Sequence, residues 1–160
     1  MKILIVSDTH GNHRNLDKVL EKEEGIDMFL HMGDVEEDDI YIEAVIECPV
    51  HMVAGNNDFY SSGLSREEEL QIGKYRVLMT HGHTYYVSMS TKRLKQMAKE
   101  NGYDIVMYGH THRPDIDMED GIIAINPGSL SYPRQEGRKP TYIIMWLDES
   151  GDARFELKYV

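Results

Sequence analysis

Apolar residues fall into short continuous runs along the chain, and each run is cut off by a polar cluster. The first, MKILIV at residues 1–6, has the form of a strand covered on both faces, and it stops at SDTHGN. Between residues 13 and 24, Leu16, Val19 and Leu20 share one helical face, and Gly25 marks the end of that helix. A second run, IDMFLHM at 26–32, leads into Gly33 and Asp34. The acidic stretch 36–39 then predicts the opening of a helix carrying Ile42, Val45 and Ile46, because acidic side chains favour a first turn. Pro49 closes it, and VHMVAG at 50–55 predicts a third strand ending in NND. The order β-α-β-α-β predicts a parallel sheet.

The rhythm then changes. REEELQIGKYRVLMTHGH predicts two strands joined near Gly73, the second over 75–80. A helix follows at about 91–101, with Ser90 as its cap and Gly102 past its end. The runs DIVMYG and GIIAINPGS predict further strands, and TYIIMWL and ARFELKYV, separated by the turn DESGD, predict an antiparallel pair. The expectation is an α/β fold of two mixed sheets packed together with helices outside.

A length of 160 residues suits one domain over 1–160, with a single site. With 17 Lys and Arg against 28 Asp and Glu, the formal charge of −11 opposes broad contact with a nucleic-acid backbone or an anionic membrane, so an anionic substrate must be attracted locally. No apolar run reaches the roughly 18 residues of a membrane span. The single cysteine, Cys48, cannot form an internal disulfide, and no leader pattern opens the chain, so a cytoplasmic setting is expected. Antiparallel sheet edges leave homo-oligomer formation open.

The polar clusters carry the chemistry. Asp8 and His10 follow the first strand, Asp34 the second and Asn56 the third; His81 follows YRVLMT, and His110 and His112 follow DIVMY. Ligands of open α/β sheets bind beyond the carboxyl ends of the strands, so these residues are expected to converge. If the segments stay extended, the i and i+2 side chains of Asp8/His10 and His110/His112 form two pincers. Four imidazoles, two carboxylates and an amide oxygen are too many for one four-coordinate ion; with Asp34 bridging, they serve two. This mixed nitrogen and oxygen set suits manganese, iron, zinc, cobalt or nickel better than magnesium alone. His13, His31 and His51 are read as structural, Arg134 as solvated surface in preference to a residue facing the pocket, and the acidic stretch 36–39 as a solvated helix start.

SDTHGN, the GD at 33–34, GNND at 55–58, THGH at 80–83 and GHTH at 109–112 occur in an order that resembles the calcineurin-like metallophosphoesterase superfamily. NPGS at 126–129 is similar to a signature of its small phosphodiesterase branch, the YfcE type. The resemblance implies a four-layer α/β/β/α sandwich with a binuclear centre of divalent ions, manganese foremost. It assigns Asp8, His10 and His112 to one ion, Asn56, His81 and His110 to the other, and Asp34 to both. It also implies a loop at NPGS bordering the site.

The expected activity is hydrolysis of a small phosphodiester by a hydroxide bridging the two ions. Asp34 and Asn57 are the candidate catalytic residues, and Asn57 and His83 the candidate substrate contacts. Many phosphatases of the superfamily carry histidine where Asn57 stands, and asparagine cannot serve as a general acid. Esters with acidic leaving groups are therefore the expected substrates. The rival expectation is a non-catalytic scaffold on the same fold, like the retromer subunit; a DNA nuclease is disfavoured by the lack of a broad basic surface.

Overall fold

The computed structural model describes residues 1–59 and 63–160. Its first sheet contains β1 (Lys2–Val6), β2 (Met28–His31), β3 (Val50–Met52), β9 (Thr141–Leu147) and β10 (Ala153–Tyr159), in the order β10-β9-β1-β2-β3. The second contains β4 (Glu67–Ile72), β5 (Tyr75–Thr80), β6 (Ile105–Met107), β7 (Pro114–Asp117) and β8 (Ile123–Pro127), in the order β4-β5-β6-β8-β7. β1, β2 and β3 pair parallel, as do β5, β6 and β8, whereas β9, β10, β4 and β7 are antiparallel additions. Among the described residues, α1 (Arg14–Lys22), α2 (Asp39–Val45) and α3 (Lys92–Glu100) are the α-helices, and a single 3₁₀ turn covers His83–Tyr85.

Strand alternation builds the layers. Ile3 and Ile5 of β1 join Leu30, Met79, Met107 and Ile143 between the two sheets. Their neighbours Leu4 and Val6 face the other way, onto Leu16 and Val19 of α1 and Ile42 of α2. On the far side Leu78, Val106 and Ala124 pack against Leu94 and Ala98 of α3. The order helix, sheet, sheet, helix is the expected four-layer α/β sandwich.

Three local differences from the sequence expectations matter. The stretch 36–39 does not open α2 as a whole: Glu36 and Glu37 are left-handed, at φ 53° and 69°, and the helix begins at Asp39. The Glu36 N–H donates instead to Asp58 Oδ1 at 2.7 Å, which turns the chain before the helix starts. β7 had no apolar run to announce it, because this short edge strand, PDID, pairs on one side only, with β8. Ser90 caps α3 from just outside, its Oγ accepting from the Lys92 N–H at 3.2 Å.

Far from the polar strand ends, Glu23 ties together α1, β1, β9 and β10. It accepts from Tyr142 Oη at 2.6 Å, pairs with Lys2 Nζ at 2.9 Å and contacts Lys158 Nζ. Burial pushes its carboxyl up, but hydrogen bonds from Lys158, Tyr142 and Lys2 outweigh that and bring its pKa from 4.5 down to about 2. The depressed folded-state value means that this contribution is complete above about pH 4.5 and is lost as pH falls towards 2. Glu23→Gln should cost about 1–3 kcal/mol in urea unfolding at pH 7, with wild type and variant converging near pH 2–3; equal midpoints at pH 7 would contradict this.

Candidate metal centre

The polar clusters that end β1, β2, β5 and β6 meet at the carboxyl edges of the two sheets. One ligand atom each from Asp8, His10, Asp34 and His112 lies within 4.8 Å of every other. His112 Nε2 is 3.1 Å from Asp8 Oδ1, and His10 Nε2 is 3.3 Å from His112 Nε2 and 3.8 Å from Asp34 Oδ2. On the other side of Asp34, His81 Nε2 approaches the same Oδ2 to 3.4 Å. The His110 ring stands edge-on to His81 with centroids 5.2 Å apart. His81 and His110 lie outside the four-residue cluster, and the Asn56 Oδ1 is buried without a hydrogen-bond partner among the described residues.

The backbone that delivers these side chains is not extended. Asp8, His10, Asp34, His110 and His112 have φ of 54°, 49°, 55°, 68° and 56°, in the left-handed region that non-glycine residues seldom occupy. The pairing of Asp8 with His10 and of His110 with His112 therefore comes from alternate left-handed residues, not from a strand's i, i+2 geometry. Ladder-like bonds hold the first turn: Asp8 N–H to Gly33 O and His10 N–H to Asp34 O, each 3.0 Å. Such strain persists where the surroundings over-determine it, and it gathers at functional sites.

Three of the four imidazoles are oriented through their outer nitrogen. His81 Nδ1 donates to Met32 O at 2.7 Å, His112 Nδ1 to Tyr132 O at 2.7 Å, and His10 Nδ1 to Glu36 Oε1 at 2.6 Å. A carbonyl or carboxylate oxygen can only accept, so Nδ1 carries a proton, and in the neutral imidazole Nε2 is the lone-pair nitrogen. In that neutral form three nitrogen lone pairs stand beside two carboxylates, the donor set of a cation. Asp8 Oδ1 and His81 Nε2 are buried with no aligned hydrogen-bond partner among the described residues, as expected of atoms that serve as metal donors. The residues fit divalent ions.

The buried carboxylates and imidazoles shift one another. Burial alone would raise the Asp34 carboxyl, but His81 and both Asn57 donors outweigh it and hold the group below the ordinary carboxylate value. Burial would lower His81; Asp34 and Asp8 reverse that and raise it. His110 and His83 are both lowered, first by burial and then by the charge of His81.

Comparison with known proteins matches residues 1–150 to the calcineurin-like phosphoesterase superfamily domain. The chain belongs to that superfamily. Probable metallophosphoesterase YsnB of Bacillus subtilis is 32% identical over 157 residues, 97% of this chain and 90% of the relative. Phosphodiesterase MJ0936 of Methanocaldococcus jannaschii is 31% identical over 144 residues, 80% of this chain and 83% of its own. The crystal structure of a predicted phosphoesterase from Streptococcus pneumoniae superposes with a TM-score of 0.79 at 27% identity, covering 98% of this chain and 97% of that one. A Vps29 single mutant from Entamoeba histolytica shares the fold, with a TM-score of 0.80 at 23% identity over 100% of this chain and 99% of its own.

Asn57 is exposed, and it grips Asp34: its N–H donates to Oδ1 at 2.9 Å and its Nδ2 to Oδ2 at 2.8 Å. His83 stands 5.5 Å from His81 and 6.1 Å from His110 by ring centroid, its Nδ1 buried and unpartnered among the described residues. His31 is structural as expected, accepting from the Gly33 N–H and reaching Thr9 Oγ1.

The supporting residues escaped the sequence reading. Asp58 accepts from the Gly55 and Glu36 N–H groups, both at 2.7 Å, and so joins the third cluster to the second. Ser7 Oγ and the His110 N–H donate to Asp8 Oδ2. NPGS does border the site: Asn126 Nδ2 donates to Gly109 O at 2.8 Å, and Ser129 Oγ to Asp8 O at 2.9 Å.

Close approach leaves no room for a side chain at Gly55 or Gly109. A Cβ on Gly55 would lie 2.1 Å from Asp34 Oδ1, and one on Gly109 would lie 2.1 Å from Ser7 Oγ. Gly55→Ala should destabilise the fold by about 1–3 kcal/mol through overpacking, read as a lower urea midpoint. An unchanged midpoint would show that the Asp34 turn shifts freely.

Proposed function

We propose that this chain is a metal-dependent phosphodiesterase whose two divalent ions are held by Asp8, His10 and His112 on one side and Asn56, His81 and His110 on the other, with Asp34 serving both. The observation that carries this reading is the common orientation of His10, His81 and His112, each anchored by Nδ1 so that Nε2 is the donor beside Asp8 or Asp34. The position of Asp34 Oδ2, 3.8 Å from His10 Nε2 and 3.4 Å from His81 Nε2, supports its shared role. Divalent ions bound there supply Lewis acidity: activation of water near neutral pH and neutralisation of phosphoryl charge.

The chain's own residues do the rest. Glu36 and the Met32 and Tyr132 carbonyls hold the Nδ1 protons of His10, His81 and His112, so these three rings keep their orientation during a turnover. Asn57 orients the Asp34 carboxylate and, being exposed, offers its amide to a non-bridging phosphoryl oxygen. His83, its pKa lowered by burial and by the charge of His81, stands at the His110 side and serves as a second substrate contact. None of these contacts supplies a proton as readily as a leaving alkoxide needs, so aryl diesters should turn over faster than alkyl diesters. Manganese is the first choice of ion, with nickel, iron, cobalt and zinc as alternatives, and the single thiol of Cys48 suits a reducing cytoplasm.

The direct test is hydrolysis of bis-p-nitrophenyl phosphate by protein loaded with manganese, stripped by chelator and reloaded. Activity should vanish on stripping and return on reloading; metal retained without hydrolysis of any diester would support the scaffold reading instead. Glu36→Gln should leave the fold intact and lower metal affinity or activity by about 10–100-fold, the usual effect of losing a histidine's outer partner. Wild-type affinity and rate in that variant would remove Glu36 from the account.

A further inference from the structure

Beside His10 and His112 the surface opens into a cleft of roughly 760 Å³, lined also by Ser131, Tyr132, Pro133, Arg113, Arg134 and Arg138. The chain carries 28 acidic residues against 17 lysines and arginines, yet this lining contains three arginines and no carboxylate. Among the described residues, no Asp or Glu oxygen lies within 4.0 Å of any of these three guanidinium groups, and none of the three donates a side-chain hydrogen bond. Their charge is therefore uncancelled by contact, in a concave place where local fields concentrate.

The arginines are also positioned. Arg113 follows His112 directly, and the loop that carries the other two is clamped to the same turn from both directions. The Arg134 N–H donates to His112 O at 2.9 Å, while His112 Nδ1 donates to Tyr132 O at 2.7 Å. Ser131 Oγ donates to Thr9 O at 2.6 Å, and Arg138 is held at φ 45°. Tyr132 is 59% exposed, its ring edge-on to His10 with centroids 5.1 Å apart, which adds an aromatic wall to the basic floor.

We propose that Arg113, Arg134 and Arg138 form an anion subsite that selects phosphodiesters bearing a second phosphate group; this rests on the phosphodiesterase reading above. The scissile diester sits at the histidine end of the cleft, and the extra phosphate lies among the guanidinium groups, whose planar forks match phosphate oxygens. A simple diester carries one negative charge and leaves the arginines unused. A diester with a terminal phosphate engages both ends.

Two matched pairs of ligands test the subsite on the manganese-loaded protein at low salt. The dinucleotides pApA and ApA share one internal diester and differ by a terminal phosphate; adenosine 3′,5′-bisphosphate and adenosine 5′-monophosphate differ likewise and contain no diester. The kcat/KM ratio for the first pair and the Kd ratio for the second should each favour the extra phosphate at least tenfold in wild type. Both should shrink to within threefold in R113Q/R134Q/R138Q, and by an intermediate amount in the exposed single variant R134Q, with the wild-type ratios falling as salt rises. Ratios near one in wild type, or unchanged in the variants, would overturn the subsite. Failure of the phosphodiesterase reading looks different: neither dinucleotide is cleaved, while the Kd ratio still decides whether the arginines bind the second phosphate.

Discussion

Two carboxylates, Asp8 and Asp34, are buried side by side at 0% and 2% side-chain exposure, and the architecture around the strand ends follows from that burial. An ionised carboxylate removed from water needs compensation from donors or cations. Asp34 has both Asn57 donors and the His81 imidazole. Asp8 has Ser7 Oγ and the His110 N–H on Oδ2, but only histidine Nε2 atoms close to Oδ1: His112 at 3.1 Å, and His10 and His81 each at 4.0 Å. Those nitrogens have their protons committed on the other side of the ring. A site assembled this way is stable when a cation stands among the donors, and we propose that it holds two.

The fold serves this constraint by ending parallel strands of both sheets at one edge. β1 and β2 deliver Asp8, His10 and Asp34, while β5 and β6 deliver His81, His110 and His112. Apolar contacts between Ile3, Ile5, Leu30, Met79 and Met107 lock the sheets together immediately behind those ends. Glycines then permit the closest passages, at Gly55 against Asp34 and at Gly109 against Ser7. Cross-links such as Asp58 to Glu36 and Ser129 to Asp8 join segments far apart in the chain.

Much of this was legible from residue order alone. Apolar runs of four to seven residues, each ending in Asp, Asn or His, gave the strands and the candidate ligands together, because a buried parallel strand is uniformly apolar and its exit is not. What the run pattern could not carry was anything set by tertiary contact. Glu36 looks like a helix start in sequence, and only its place beside His10 makes it a histidine's partner. Asp58 is one more acid in a polar stretch until its carboxylate receives two backbone N–H groups. β7 carries two aspartates in four residues and pairs only on its inner side, so no periodic signal marks it. The left-handed φ values at Asp8, His10 and His112 replace the extended geometry that spacing suggested, and no residue type there announces them. Arg134 reads as solvated surface and is indeed exposed; that it shares a cleft with two candidate ligands is a fact of packing.

Membership of the calcineurin-like phosphoesterase superfamily gives the reaction class, and the orientation of the imidazoles gives it a physical basis in this chain. The central claim is that Asp34 is shared by two bound ions. Titrating chelator-stripped protein with manganese, with bound metal counted per chain, tests it most directly. The account predicts two equivalents bound by wild type and loss of affinity at both sites in Asp34→Asn. Two equivalents bound with unchanged affinity in the variant, or none bound by wild type, would contradict it.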